Sequence, residues 1–114
     1  MIAVFTGNGK GKTTAALGQM VRVINGGKRS ALMIQFIKST GYPFGEDATA
    51  LLIKKYFSII KGGIGFVGIL GDTHTRKEHR DAAKKIWALA KQEIRKGTHA
   101  LYVLDELTVA LHLK

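Results

Sequence analysis

Short apolar runs along this chain alternate with segments in which apolar residues recur at helical spacing. The runs at residues 2–5, 30–37 and 100–104 are almost wholly apolar, and after Ser30 the second run has Gln35 as its polar exception. Apolar runs of this length are typical of parallel strands that are covered on both faces. We therefore predict a buried strand at residues 2–5, a strand covered on both faces at residues 30–37 and a further apolar strand at residues 100–104.

Two longer segments have the periodicity of amphipathic helices. From Lys12, apolar residues recur at steps of three and four as far as Ile24, shortly before a glycine pair. A second helix is predicted to begin at the capping box Thr75 to Glu78 and to run towards Lys96. We interpret its apolar stripe as a core-facing surface, because apolar residues at helical spacing are most often buried. The residues of this stripe, all predicted to be buried, are Ala83, Ile86, Trp87, Ala90 and Ile94.

The remaining segments connect these elements. Residues 38–47 contain the only proline and are predicted to form a loop, residues 48–56 a short helix, and residues 61–71, with five glycines, a strand-and-loop region. A last helix is predicted over residues 107–113. The alternation of strands and helices indicates an α/β fold with an open, mostly parallel sheet and flanking helices, formed as a single domain by residues 1–114. In such sheets, ligands bind at the carboxyl ends of the strands.

Composition narrows the class of protein. The chain has 114 residues, of which 46% are hydrophobic and 23% charged, and this is too apolar for a disordered protein. No apolar stretch reaches the roughly 18 residues of a membrane span, and no basic segment precedes the first apolar run, so we expect neither a membrane anchor nor a signal peptide. The absence of cysteine excludes a disulfide framework and cysteine-based zinc sites. We therefore expect a cytoplasmic globular protein without a membrane partner.

Positive charge is concentrated in the first part of the chain. The formal net charge is +10, and the first 45 residues hold six lysines and arginines but no aspartate or glutamate. This imbalance indicates an anionic partner for that part of the protein. The basic residues between Lys84 and Lys96 are interpreted instead as a solvated helix surface, with nucleic acid as the less favoured alternative.

The strongest chemical signal follows the first predicted strand. Residues 6–14 read T-G-N-G-K-G-K-T-T and match the Walker A pattern G-x-x-x-x-G-K-[ST] except at Thr6, where its first glycine belongs. The segment provides glycines that let backbone N–H groups converge on oxygens, lysine ammonium groups, a hydroxyl for Mg²⁺ and the N-terminus of a helix. An exposed turn is the alternative, but the flanking strand and helix favour a phosphate loop. The predicted nucleotide-binding residues are Thr6, Gly7, Asn8, Gly9, Lys10, Gly11, Lys12, Thr13 and Thr14.

A dinucleotide-binding loop fits this segment less well. The third glycine of the pattern G-x-G-x-x-G falls on Lys12, and the second strand offers Gln35 where an acidic residue would bind the ribose. NAD binding is therefore the weaker interpretation.

A pair of acidic residues ends the third predicted strand. Asp105 and Glu106 follow the apolar run as in a Walker B site, where a carboxylate holds Mg²⁺ directly or through water opposite a loop hydroxyl. The alternative is that Asp105 caps the following helix, a role that contributes about 1 kcal/mol of stability. A second adjacent acid in a chain with only eight favours the metal interpretation. We predict Thr13 and Glu106 as the metal ligands, with Asp105 either as an alternate ligand or as a residue that contacts the ligands.

Several segments together resemble one enzyme family. They are F-T-G-N-G-K-G-K-T-T-A-A-L-G at 5–18, Q-F-I-K at 35–38, G-E at 45–46, G-F at 65–66 and V-L-D-E-L at 103–107, followed by Ala110-Leu111. Over nearly the entire chain their combination is similar to the ATP:cob(I)alamin adenosyltransferases of the corrinoid-biosynthesis type, whose shortened loop accounts for Thr6. The resemblance implies a P-loop NTPase-like (RecA-like) fold.

The resemblance also implies a reaction. In that family the 5′-deoxyadenosyl group of ATP moves to the cobalt of a reduced corrinoid, cob(I)alamin or cob(I)yrinic acid diamide, and triphosphate is released. Lys12 and Glu106 are the implied catalytic residues, Mg²⁺ is the implied cofactor, and Phe66 matches an aromatic residue that approaches the corrinoid. The family's tryptophan two positions later corresponds here to Gly68, so we expect a differently built corrinoid surface.

Partners and length complete the expectations from the resemblance. Family members of this type are homodimers, and their corrinoid has to be reduced, so the implied partners are ATP, a corrinoid, a reductant protein and a second subunit. The family usually continues beyond the D-E-L segment, whereas this chain ends at Lys114. We therefore expect a shortened domain that lacks C-terminal strands.

Two other functions stay open from the residues alone. A P-loop ATPase or phosphotransferase would use Glu106 as the base for water or an acceptor hydroxyl. A basic module that binds nucleic acid would use the net charge of +10, and its affinity would fall steeply with salt.

Overall fold

The described part of the chain folds into a parallel sheet of three strands with three helices. The computed structural model describes residues 1–24, 29–37, 55–64 and 74–112. Within these ranges the elements are α1 (Lys12–Val23), β1 (Ala31–Gln35), β2 (Phe57–Lys61), α2 (Arg76–Lys96), β3 (Leu101–Asp105) and α3 (Leu107–Leu111). The predicted α/β architecture is confirmed at this level.

The central strand of the sheet is β1, which pairs in parallel with β2 on one side and with β3 on the other. In this register Gln35 lies opposite Lys61 and opposite Asp105. All three strands therefore end at the same edge of the sheet. That edge carries Asp105, with Glu106 directly after it.

Two layers of side chains cover the faces of β1. Every residue of β1 is buried, and successive side chains of a strand point to opposite faces. One face packs against α1, and the buried residues of this layer are Ala16, Met20, Ala31, Met33 and Phe57. The other face packs against α2, and the buried residues of this layer are Leu32, Ile34, Phe36, Ile37, Ile86 and Ala90. The central strand is thus covered on both faces, as its apolar run predicts.

Helix α2 begins and ends as the sequence predicts. The Thr75 hydroxyl oxygen accepts a hydrogen bond from the Glu78 backbone N–H at 3.1 Å, and Gly97 ends the helix in the left-handed conformation, with a φ of 64°. The His74 imidazole bonds the Glu78 carboxylate at 2.8 Å and lowers the pKa of Glu78, and hydrogen bonds from Thr75 add to this effect. Neither α2 nor any other helix in the described ranges is both long and apolar enough to span a membrane.

The N-terminal segment does not form the predicted strand. Residues 1–7 have no regular secondary structure, and Ile2 and Val4 are 92% and 77% exposed. The prediction of a buried strand at residues 2–5 is therefore wrong. A strand needs a hydrogen-bonding neighbour, and none of the three strands in the described ranges pairs with this segment.

Helix α2 exposes two residues for which the sequence predicts core positions. Trp87 is 41% exposed and Ile94 is 42% exposed, whereas the other three members of the apolar stripe are buried. One side of the Trp87 ring faces the buried Phe36 ring, with 6.3 Å between centroids, and the Lys91 ammonium lies 5.9 Å from the Trp87 ring centre. The stripe is therefore wider than the surface that the sheet covers, and the prediction is wrong for Trp87 and Ile94.

Strand β2 lies where the apolar pattern predicts no strand. It follows the predicted short helix and ends at Lys61, where the predicted strand-and-loop region begins, and its sequence F-S-I-I-K contains two adjacent β-branched residues that favour strands. The predicted loop at 38–47, most of the predicted helix at 48–56 and the glycine-rich residues 65–71 lie outside the described residues. The predicted last helix is confirmed over Leu107–Leu111.

Candidate nucleotide-binding site

The predicted phosphate loop leads directly into α1. Gly7, Gly9 and Gly11 have φ angles of 135°, 88° and 108°, which residues with side chains adopt only under strain. Gly11 occupies the N-cap position of α1, so no side chain at that position caps the first backbone N–H groups of the helix. An anion can therefore bind these N–H groups, and the helix dipole favours its negative charge.

Lys12 folds its ammonium group back onto the loop. Its Nζ donates to the Gly7 carbonyl at 2.7 Å and to the Gly9 carbonyl at 2.8 Å. An ammonium group has three N–H donors, so these two contacts with described residues leave a third for a ligand. The arrangement holds a positive charge inside the loop.

Thr13 and Asp105 bring the loop and the acidic pair together. The Thr13 hydroxyl donates to Asp105 Oδ1 at 3.0 Å, and Asp105 is only 8% exposed. Because the hydroxyl proton points at the carboxylate, the lone pairs of Thr13 Oγ1 can face a cation. Two of the three residues predicted at the metal site are thus in direct contact.

Gln35 joins this pair, although the sequence predicts no role for it. It is the last residue of β1, it is 1% exposed, and its Nε2 lies 3.5 Å from Asp105 Oδ2. The same Nε2 contacts Met33 Sδ at 3.5 Å. The signal that identifies Gln35 in the sequence is its position as the single polar residue within residues 31–37.

Glu106, the third residue predicted at the metal site, has a strained backbone. Its φ is 62° and its ψ is 26°, and it is the one non-glycine residue with a positive φ among the described residues. This conformation costs about 1 kcal/mol or more for a residue with a side chain. Glu106 is the N-cap residue of α3 and makes no side-chain capping bond. The alternative role of Asp105 as that cap is wrong, because Asp105 precedes the N-cap position and bonds Thr13 instead.

The other predicted loop residues lie at the surface beside an open cavity. The exposed loop side chains are Thr6, Asn8, Lys10 and Thr14. The cavity has a volume of about 410 Å³ and an apolar lining of Val4, Phe5 and Ala15 in addition to the loop. Phe66, which is predicted to approach a corrinoid, lies outside the described residues.

The oxygen atoms at the sheet edge fit a magnesium ion. In the described ranges no group of three or more histidine, cysteine, aspartate or glutamate residues is placed to hold a metal. Magnesium does not require such a group, because it is usually bound by one or two carboxylates together with water and phosphate oxygens. Thr13 Oγ1 and the Asp105 carboxylate are hard oxygen donors of the kind that Mg²⁺ takes.

Comparison with known proteins gives a consistent set of relatives. Residues 1–114 match the family model described as ATP:corrinoid adenosyltransferase BtuR/CobO/CobP. The corrinoid adenosyltransferase of Escherichia coli K12 is 37% identical over 108 residues, which cover 95% of this chain and 52% of that protein. The corrinoid adenosyltransferase CobA of Salmonella typhimurium is 36% identical, with 95% of this chain and 52% of that protein covered. The chain thus spans about half the length of these relatives.

Proposed function

Because the chain belongs to the ATP:corrinoid adenosyltransferase family, we propose that it binds MgATP at residues 6–14 and transfers the 5′-deoxyadenosyl group to a reduced corrinoid. The observation that carries the nucleotide site is the hydrogen bond from Thr13 to Asp105, which sets the loop beside a buried carboxylate at the sheet edge. Relatives that are named corrinoid adenosyltransferases support a corrinoid as the acceptor.

In this proposal the loop binds the triphosphate of ATP. The ammonium groups of Lys10 and Lys12, the loop amides and the N-terminus of α1 all provide positive potential at this place. Negative charge on the triphosphate grows as it leaves the adenosyl carbon. These groups therefore stabilise the transition state more than they stabilise bound ATP. This difference accelerates the reaction. Lys12 is the residue to which we assign most of this effect.

We assign Mg²⁺ to the Thr13 hydroxyl and the carboxylates of Asp105 and Glu106. Bound there, the ion would neutralise part of the triphosphate charge. Asp105 is held by its hydrogen bond from Thr13, and Glu106 is held by its place at the start of α3. The strain at Glu106 supports a functional role for its carboxylate, because a glycine would adopt this backbone conformation at lower cost.

The adenosyl transfer requires the protein to align the two substrates rather than to activate a nucleophile. The cobalt of a cob(I) corrinoid supplies the electron pair that attacks C5′ of ATP. The cobalt–carbon bond forms while the C5′–O bond to the α-phosphate breaks, and the triphosphate leaves with that oxygen. The protein has to hold the cobalt in line with C5′ and to exclude water. No side chain needs to act as a nucleophile, so Lys12 and Glu106 act through their charges.

The wider assembly is part of the same proposal. We assign residues 1–114 to one P-loop-type domain, with a second subunit and a reductant as partners of a cytoplasmic enzyme. Apolar side chains that are exposed at Ile2, Val4 and Trp87 support contact with another protein surface. The cobalt acceptor must reach the cob(I) state before transfer, and this supports a reductant. The absence of cysteine fits the cytoplasm.

Product analysis tests the proposed function. The protein is incubated in the dark with MgATP and chemically reduced cobalamin, and the phosphate products and the cobalt spectrum are followed together. We expect triphosphate and a photolabile cobalt–carbon product. Orthophosphate without that product would favour a P-loop ATPase instead. Lys12→Met should abolish transfer, whereas Lys84→Met, a charge loss at an exposed position of α2, should not.

A further inference from the structure

A glutamine that is buried in an apolar strand requires hydrogen-bond partners. Gln35 is 1% exposed and lies between the buried residues Ile34 and Phe36. Burying an amide without a hydrogen bond destabilises a protein. Residues 31–37 are otherwise apolar. A leucine or isoleucine at position 35 would therefore be sufficient if packing were the only requirement. The position therefore points to a requirement for the amide itself.

The partner that connects Gln35 to the site is Asp105. The parallel pairing of β1 with β3 sets the two residues opposite each other, and Gln35 Nε2 lies 3.5 Å from Asp105 Oδ2. The other carboxylate oxygen, Oδ1, accepts the Thr13 hydroxyl at 3.0 Å. The carboxylate is thus held through both oxygens, by an amide from β1 and by a hydroxyl from α1.

An amide suits this position because it donates a hydrogen bond without adding charge. The terminal torsion angle of an aspartate side chain has a broad distribution. A hydrogen-bond donor on each oxygen therefore restricts the range of orientations that the carboxylate adopts. A lysine or arginine at position 35 would form an ion pair with Asp105 and compete with a cation for it. A leucine would leave the buried carboxylate with one donor fewer.

We infer that Gln35 is a positioning residue for the proposed magnesium site. It fixes the Asp105 carboxylate so that Oδ1 faces the Thr13 hydroxyl, and it acts on the nucleotide only through Asp105. This inference rests on the proposed function, because it concerns the same site. It adds a residue from the central strand to a site that otherwise consists of the loop and the end of β3.

Titrations of ATP in the presence of Mg²⁺ and in EDTA test this role. Gln35→Met keeps the length of the side chain but removes its N–H donors. The measured quantity is the ratio of the ATP affinity with Mg²⁺ to the ATP affinity in EDTA. We expect Gln35→Met to lower this ratio about tenfold, as for other residues that orient metal ligands, and to leave the ATP affinity in EDTA unchanged. Gln35→Leu, which also removes the donors and adds no charge, should behave in the same way and serves if Gln35→Met does not fold.

Two controls separate positioning from packing. Met33→Leu removes a contact of Gln35 Nε2 that does not involve Asp105 and should leave the Mg²⁺ dependence at the wild-type value. In a double-mutant cycle with Asp105→Asn, the effect of Gln35→Met should disappear, because Gln35 then has no carboxylate to orient.

The outcomes distinguish this inference from the proposed function. A Gln35 variant that keeps the full Mg²⁺ gain, or that loses ATP affinity equally in Mg²⁺ and in EDTA, would overturn the role of Gln35 and leave the proposed function standing. A wild-type protein that binds ATP no better with Mg²⁺ than in EDTA would overturn the proposed metal site, and the role of Gln35 with it.

Discussion

The Thr13 hydroxyl donates a hydrogen bond to Asp105 Oδ1 at 3.0 Å, across 92 positions of sequence. Thr13 lies in the first turn of α1 and Asp105 is the last residue of β3. The bond therefore fixes the start of the helix, and the glycine loop before it, against the carboxyl edge of the sheet. The basic loop and the buried carboxylate thus meet at one edge of the sheet, where we propose the magnesium–phosphate site.

Removal of the Thr13 hydroxyl should weaken MgATP binding. Thr13→Val keeps the shape of the side chain but loses the bond to Asp105, and a hydrogen bond to a charged group contributes about 1.5 kcal/mol or more. We expect MgATP to bind at least about tenfold more weakly in calorimetric titration. Thr13→Ser retains the hydroxyl and is the matched control. Equal MgATP affinities in the two variants would contradict the role of the hydroxyl.

The loop glycines should be sensitive to substitution through their backbone conformation. Gly11 has a φ of 108°, and a Cβ atom there would meet nothing within 4 Å, so strain rather than crowding opposes a side chain. We expect Gly11→Ala to lower the free energy of unfolding by about 1 kcal/mol. Gly18 lies inside α1, and a Cβ atom there would also meet nothing within 4 Å. We expect Gly18→Ala to raise the free energy of unfolding by about 0.5 to 1 kcal/mol. Urea unfolding measures both, and shifts of the same sign would contradict this explanation.

Stability and binding should change in opposite directions at Glu106. Its left-handed backbone, with a φ of 62°, is one that glycine adopts without strain. We expect Glu106→Gly to raise the free energy of unfolding by about 1 kcal/mol and to weaken MgATP binding. Glu106→Ala removes the carboxylate and keeps the strain, so it should weaken binding without the gain in stability. A loss of stability in Glu106→Gly would show that the strain is not present.

The start of α2 should lose stability in acid. The His74 imidazole and Thr75 hold the pKa of Glu78 below its ordinary value of 4.5, so the folded state favours the ionised carboxylate. The stability from this interaction is present above that ordinary value and is lost as the pH falls through the lowered pKa. We expect Glu78→Gln to be less stable than the wild type at neutral pH, and the difference to vanish in acid.

Thermal unfolding of both proteins at neutral pH and at about pH 3 measures this difference. A gap in melting temperature that stays the same at both pH values would contradict the assigned ionisation. Because Glu78 lies at an exposed helix end, distant in sequence from the loop, its substitution should leave MgATP binding at neutral pH unchanged.

Features that depend on nearby residues could be predicted from the sequence. The start of α1 at Lys12 follows from the glycine loop. The start of α2 follows from the Thr75 hydroxyl and the backbone N–H of Glu78 three residues later. The central strand follows from an apolar run that only a strand covered on both faces tolerates. For the site, the sequence indicates the loop and the acidic pair, because each is a contiguous motif.

Features that depend on distant neighbours were beyond the sequence pattern. Residues 2–5 have strand composition, but a strand forms only where a neighbour supplies hydrogen bonds. The exposure of Trp87 depends on how much of α2 the sheet covers, which helical spacing does not specify. The contact between Gln35 and Asp105 joins residues 70 positions apart, and it follows from the register of β1 with β3 rather than from either local sequence.

The central claim is that residues 6–14 bind the polyphosphate of ATP, and calorimetric titration of MgATP into the wild type and Lys12→Met tests it most directly. The ammonium group that Lys12 holds against the Gly7 and Gly9 carbonyls should give saturable binding at one site in the wild type. We expect Lys12→Met to bind at least about tenfold more weakly, and Lys84→Met to bind as the wild type does. Equal MgATP affinities in the wild type and Lys12→Met, or no binding by the wild type, would contradict the claim.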